Sequence, residues 1–80
     1  MAVTLRSYLY PDAPLAGFEL GEALSLKVPA GSTLGEFAGR FFHKQLAQIG
    51  VLAVNGKLAT EETVLQPGDT IDIYALLEGG

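Results

Sequence analysis

The sequence predicts an α+β fold: a mixed sheet of four to five strands with one main helix packed across one face. Three observations carry that prediction. Apolar and polar residues alternate with a period of two near both ends of the chain, Thr33 and Glu36 open a stretch of helical spacing in the middle, and an Asn55-Gly56 turn follows it. One helix cannot cover both faces of a sheet, so one face is expected to stay open. At 80 residues the chain is a single domain in which folding buries only about 60% of the unfolded surface. The domain is expected to span residues 1–76, with residues 77–80 forming a flexible C-terminal Gly-Gly tail.

The first strand is expected over residues 2–10. Val3, Leu5, Ser7 and Leu9 fall on one face and Thr4, Arg6, Tyr8 and Tyr10 on the other, the alternation of a strand with one face on a core. Pro11, Asp12, Pro14, Gly17 and Gly21 mark a loop, from which Phe18 and Leu20 are expected to fold back onto the core. Leu24, Leu26 and Val28 alternate as a second strand, ended by Pro29-Ala30-Gly31-Ser32. Thr33 and Glu36 have the spacing of a capping box, in which each side chain satisfies a backbone N–H at a helix start. Leu34, Phe37, Ala38, Phe41, Phe42, Leu46 and Ile49 then keep to one stripe at helical spacing, with Glu36, Arg40 and His43 opposite. Gly39 and Gln45 weaken the pattern, so the helix is expected to loosen before Gly50, which is expected as the C-terminal cap.

Val51 to Val54 is short, continuous and apolar, as a buried strand is. Asn55-Gly56 predicts a type I′ hairpin because both central positions of that turn need positive φ, and Lys57 to Ala59 is the returning edge strand. Thr60 to Gln66 reads as an irregular crossover anchored by Val64 and Leu65. Pro67-Gly68-Asp69 then turns the chain into a last strand, Thr70 to Leu76, with Ile71, Ile73 and Ala75 inward and Asp72, Tyr74 and Leu76 outward. This order of elements is that of the β-grasp, or ubiquitin-like, fold, in which the first and last strands lie parallel at the centre of the sheet. Such a fold would bring Tyr8 and Tyr10 near Tyr74 and Leu76 on the uncovered face, either as a patch for a partner or as scattered surface aromatics.

Composition narrows the function. Hydrophobic residues make up 49% and charged residues 18%, and the mean hydropathy of +0.32 is high enough for some apolar surface to belong to a partner. No apolar run approaches the roughly 20 residues of a membrane span, and the amino terminus lacks the pattern of a signal peptide, so the expectation is a cytoplasmic protein with no membrane partner. Without cysteine there is no disulfide, thiol nucleophile or thiolate metal site. The net charge of −4 lies wholly in residues 51–80, which hold Lys57 against Glu61, Glu62, Asp69, Asp72 and Glu78. Nucleic acid is therefore not expected as a partner, whereas a basic protein patch is.

The chain closes with Leu77-Glu78-Gly79-Gly80. Glycine contributes no packing there, but a tail without Cβ atoms can enter a narrow channel in another protein, where the reactive group would be the Gly80 carboxylate. Ten glycines in the chain also allow a glycine end by chance.

Taken together, Pro29-Ala30-Gly31-Ser32-Thr33-Leu34 at the helix start, Val54-Asn55-Gly56, Leu65-Gln66-Pro67-Gly68-Asp69 and Gly79-Gly80 resemble the MoaD/ThiS-like sulfur-carrier family. That family includes the small subunit of molybdopterin synthase and the thiamine-pathway carrier. The long loop between the first two strands is more similar to the molybdopterin type. Ala75-Leu76-Leu77-Glu78 differs from the Pro-containing segment that commonly precedes Gly-Gly there.

The resemblance implies a carrier, not an enzyme, with no bound cofactor. A ubiquitin-activating-type adenylating enzyme, using ATP and Mg, would activate Gly80, and a sulfur donor such as a cysteine desulfurase or rhodanese would convert it to a thiocarboxylate. Gly79 would give the tail its slimness. Tyr8, Tyr10, Tyr74, Leu76, Leu77 and Glu78 would contact the activating enzyme or a synthase large subunit. A cofactor of the molybdopterin or tungstopterin type is the favoured acceptor; a thiamine thiazole or a thiolated tRNA base is the alternative, and a lysine-conjugated modifier or a plain interaction module is another. Side-chain catalysis has little to work with: His43 is the sole histidine and is expected in solvent, Asp69 and Asp72 read as solubilising charge, no metal set is expected, and no phosphate-binding G-x-x-x-x-G-K loop occurs.

Overall fold

In a computed structural model, which describes residues 1–76, five strands form one sheet in the order β2-β1-β5-β3-β4. They are β1 (Ala2–Ser7), β2 (Ala23–Lys27), β3 (Ile49–Val54), β4 (Lys57–Leu58) and β5 (Thr70–Ala75). A single α-helix, α1 (Leu34–Phe41), and a 3₁₀ helix (His43–Gln48) lie between β2 and β3 in sequence. β1 and β5 pair in parallel at the centre, and every other pairing is antiparallel. The fold is α+β, a β-grasp of the ubiquitin-like kind, with α1 packed on one face of a mixed sheet.

Local chemistry explains most of the boundaries. The capping box is complete: Glu36 N–H donates to Thr33 Oγ1 at 3.1 Å and Thr33 N–H to Glu36 Oε1 at 3.0 Å. Two further N–H groups of the first turn, on Leu34 and Gly35, donate to Thr63 and Glu61 carbonyls of the crossover, so the orphan donors of the helix start are met. Asn55 and Gly56 have φ of 53° and 79°, the two positive values of a type I′ turn. Leu34, Phe37, Ala38 and Phe42 close over Val3, Leu5, Ile71, Ile73 and Leu65 to make the core.

Several boundaries and anchors differ from expectation: β3 begins at Ile49 rather than Val51, and β4 and β5 each end one residue early, at Leu58 and Ala75. β1 stops at Ser7, not at residue 10, because Ser7 Oγ accepts from Leu9 N–H at 3.0 Å and donates to Leu9 C=O at 2.6 Å, bending the chain ahead of Pro11. Helix α1 ends at Phe41 and the helical stretch loosens before Gly50, as expected, the stripe continuing as a 3₁₀ helix. There Asp12 reaches across: its carboxylate accepts from Lys44 N–H at 3.0 Å and its own N–H donates to Phe41 C=O at 2.9 Å. Gly50 is not a helix cap. It sits inside β3 at a register shift between Ile49 and Val51. Within the crossover Leu65 alone is the buried anchor, Val64 being half exposed, and in the long loop Phe18 packs on the core while Leu20 stays exposed.

Candidate functional site

The uncovered face of the sheet is built on the parallel pair at its centre. Register sets Arg6 of β1 opposite Asp72 of β5, and Arg6 Nε donates to Asp72 Oδ1 at 2.8 Å. Asp72 does face outward, but it is only 4% exposed, so it is not the solubilising charge expected of it. Arg6 caps it from above with its side chain 43% exposed. The hydrogen bond Arg6 donates to Asp72, then the charge of Asp72, hold the Arg6 guanidinium above its ordinary pKa, with Tyr8 and Tyr74 adding smaller contributions.

Two residues further along each strand, on the same face, come Tyr8 and Tyr74. Side chains level with each other on neighbouring strands meet. Their rings stack, with centroids 5.2 Å apart and planes 11° from parallel, and both remain well exposed, at 43% and 39%. Tyr8 N–H donates to Ile73 C=O, holding the first tyrosine beside β5 beyond the formal end of β1. Gly21, at φ +76°, closes the other side of Tyr8: a Cβ there would lie 3.1 Å from Tyr8 Cε1. Val51, level with Tyr74 on β3, is also exposed and extends the apolar surface.

Tyr10 does not join this stack. Its ring packs edge-on against Phe18, centroids 6.0 Å apart, beside a separate hollow lined by Pro11, Pro14 and Leu15. Leu76 is half exposed at the end of β5, where its N–H donates to Gln48 C=O at 2.6 Å. Gly50 makes this approach possible, because a Cβ on it would lie 3.0 Å from Leu76 Cα. Leu77, Glu78, Gly79 and Gly80 lie outside the described residues.

Asp69 also has structural work. It accepts from Asn55 Nδ2 at 2.9 Å and from Gln66 N–H at 2.8 Å, tying the hairpin to the turn before β5. His43 is exposed. Among the described residues no group of three or more His, Asp or Glu is placed to hold a metal ion, and no helix is long and apolar enough to cross a membrane.

Sequence reasoning missed Arg6, Gly21 and Gly50. For Arg6 the signal was present, since parallel pairing of the first and last strands puts an Arg and an Asp level on the open face. Gly21 and Gly50 carry no signal without knowing what lies across from them.

No protein-family model matches the chain, and no curated protein sequence matches it. Among solved structures, the chain is similar to the crystal structure of SAMP1 from Haloferax volcanii. The match covers 100% of both chains with a TM-score of 0.64 at 16% identity, a likeness of fold.

Proposed function

We propose that this chain is a ubiquitin-like sulfur carrier whose working group is the Gly80 carboxylate. The observation that carries the reading is the course of β5. This strand is paired on both sides, and it ends at an exposed Leu76 beside the Tyr8–Tyr74 surface, with Leu77-Glu78-Gly79-Gly80 still to follow. A rigid central strand leading to a slim end suits delivery of that end into another protein's active site. The likeness to SAMP1 supports the ubiquitin-like fold on which this reading builds.

The chemistry follows from the poor reactivity of a carboxylate. In the activating enzyme, a Gly80 oxygen attacks the α-phosphate of ATP and pyrophosphate leaves, so that AMP becomes the leaving group on the acyl carbon. The terminal sulfur of a donor persulfide then displaces AMP, and a second thiol attacks the donor's sulfur in the resulting acyl disulfide, releasing the thiocarboxylate and leaving a disulfide between that thiol and the donor. The chain itself needs no cysteine for this. Its own contribution is to bind the enzyme, through Tyr8, Tyr74 and Leu76, and to present Gly79-Gly80 without side chains in the way. The long loop between β1 and β2 favours a pterin-type acceptor.

Incubation with the cognate activating enzyme, ATP, Mg and a persulfide donor is expected to raise the intact mass by the difference between sulfur and oxygen. A mass that stays unchanged sinks the carrier reading, and lysine-linked adducts on other proteins point to a modifier instead. Deleting Gly80 is expected to abolish the mass gain while leaving the thermal midpoint nearly unchanged.

A further inference from the structure

On the helix side of the sheet, between α1 with the 3₁₀ helix and the β3–β4 hairpin, runs an open groove of about 420 Å³. This lies within the roughly 300–1,000 Å³ of ligand clefts. Its lining is apolar at Ala38, Leu46, Leu52 and Ala59 and acidic at Glu61 and Glu62. Leu46 is 42% exposed although it belongs to the apolar stripe of the helical segment.

The acidic rim is held in place. Gly35 N–H donates to Glu61 C=O at 2.9 Å, and a Cβ on Gly35 would lie 3.0 Å from Glu61 Cβ. Both glutamates are exposed, and the one salt bridge among the described residues, Arg6–Asp72, is on the opposite face. The groove also reaches the root of the tail, because Gly50 lines it and is the residue against which the Leu76 backbone packs.

We propose that this groove docks a basic, apolar peptide segment of the protein that receives the tail. An aliphatic side chain of that segment sits over Leu46 and Leu52, and flanking Lys or Arg residues face Glu61 and Glu62. The inference rests on the reading of Gly80 as a group delivered to a partner. Charge selects the occupant, since residues 51–80 carry the whole net charge of −4 and like charges at a contact are costly. The chain's own residues 77–80 reach at most about 14 Å when extended, and they would bring the Glu78 and Gly80 carboxylates to an anionic rim. A second copy would bring the same rim.

The test is an amide-shift titration of the isotope-labelled full chain with a synthetic acetylated peptide amide, Lys-Arg-Leu-Leu-Lys-Lys, and with a control in which both leucines are serine. Expected are shifts centred on Leu46, Leu52, Ala59 and Glu61 for the first peptide only. Its affinity should fall about tenfold in a Glu61→Lys, Glu62→Lys double variant, and added salt should lower its affinity for the unaltered chain. Leu46→Glu is expected to weaken binding as well. Absence of shifts, shifts confined to the Tyr8–Tyr74 face, or an affinity indifferent to charge reversal would each overturn the proposal. So would shifts in the peptide-free protein at Ala38, Ala59 and Glu61, the part of the lining away from Gly50 and Leu76, on removing residues 77–80, which identify the tail as occupant, or on dilution, which identify a second copy.

None of these readouts uses ATP or sulfur, so groove binding without the mass gain defeats the carrier reading and spares the groove. Where the mass gain does occur, charge reversal should raise the carrier concentration needed for half-maximal rate. An unchanged concentration detaches the groove from tail delivery and defeats the proposal.

Discussion

Ile71 and Asp72 are adjacent in β5, and both are buried, yet opposite means bury them. Ile71 points to the helix side, where Leu34, Phe37 and Phe42 close over it and leave it 0% exposed. Asp72 points to a face that carries no helix and is covered by side chains of the sheet itself, with Arg6 bonded to it. Apolar closure depends on volume and accepts many rearrangements, whereas a single charged hydrogen bond requires one register. The open face therefore has a polar centre, positioned by pairing of the two central strands, with its aromatic surface set to one side. The difference teaches that exposure of a sheet face does not make each outward residue a surface residue.

Substitutions separate the two kinds of closure. On the helix side, Phe37→Ala leaves a cavity and is expected to cost about 3–5 kcal/mol in urea unfolding; a loss below that range would mean the helix re-packs readily. On the open side the effect should be smaller and asymmetric. Arg6→Ala leaves a buried carboxylate without its partner, while Asp72→Ala leaves a guanidinium already close to water. Arg6→Ala should thus lower stability more than Asp72→Ala, and the reverse order, or equal losses, would show that Asp72 finds water. Gly21→Ala comes next. A left-handed residue with a Cβ costs about 1–2 kcal/mol, and here the Cβ also presses on Tyr8. Changed near-ultraviolet dichroism from the tyrosines should accompany the loss of stability, and a loss without that spectral change would confine the effect to the backbone.

The same contrast explains what could be read from the sequence. The helix-side face was legible in detail, because period, capping box and Asn-Gly turn are local signals that the final packing reinforces. Where two distant segments decide the outcome, reading failed. Gly50 carries the local mark of a helix cap, yet its lack of Cβ serves the close approach of Leu76. Loosening of the helix before Gly50 was legible in Gly39 and Gln45, but the contact that fixes it was not: Asp12, far away in the chain, holds the backbone in a 3₁₀ turn at Lys44. Tyr10 has the parity of Tyr8, and a hydroxyl at Ser7 bends the chain before parity can act. Of the candidate site, Tyr8 beside Tyr74 followed from strand parity and parallel pairing alone. Its setting between Gly21 and the Arg6–Asp72 pair did not.

The smallest expected change in stability lies in the stack itself. Tyr8 and Tyr74 keep much of their surface in water, so Tyr74→Ala forfeits little burial and at most the roughly 0.5–1.5 kcal/mol of an aromatic pair. A double-mutant cycle with Tyr8→Ala should return a coupling within that range, while a cycle of Tyr74→Ala with Phe37→Ala should return nearly none, because the two residues lie on opposite faces. Coupling across the sheet would mean that the faces are not independent and would undo the contrast between them. Association with the proposed tail-receiving enzyme should respond the other way. There Tyr74→Ala is expected to weaken binding about tenfold, as truncation of a central aromatic contact does, although the domain barely registers its loss. If binding also survives, the stacked tyrosines only shelter Arg6 and Asp72, and the partner reads the chain elsewhere.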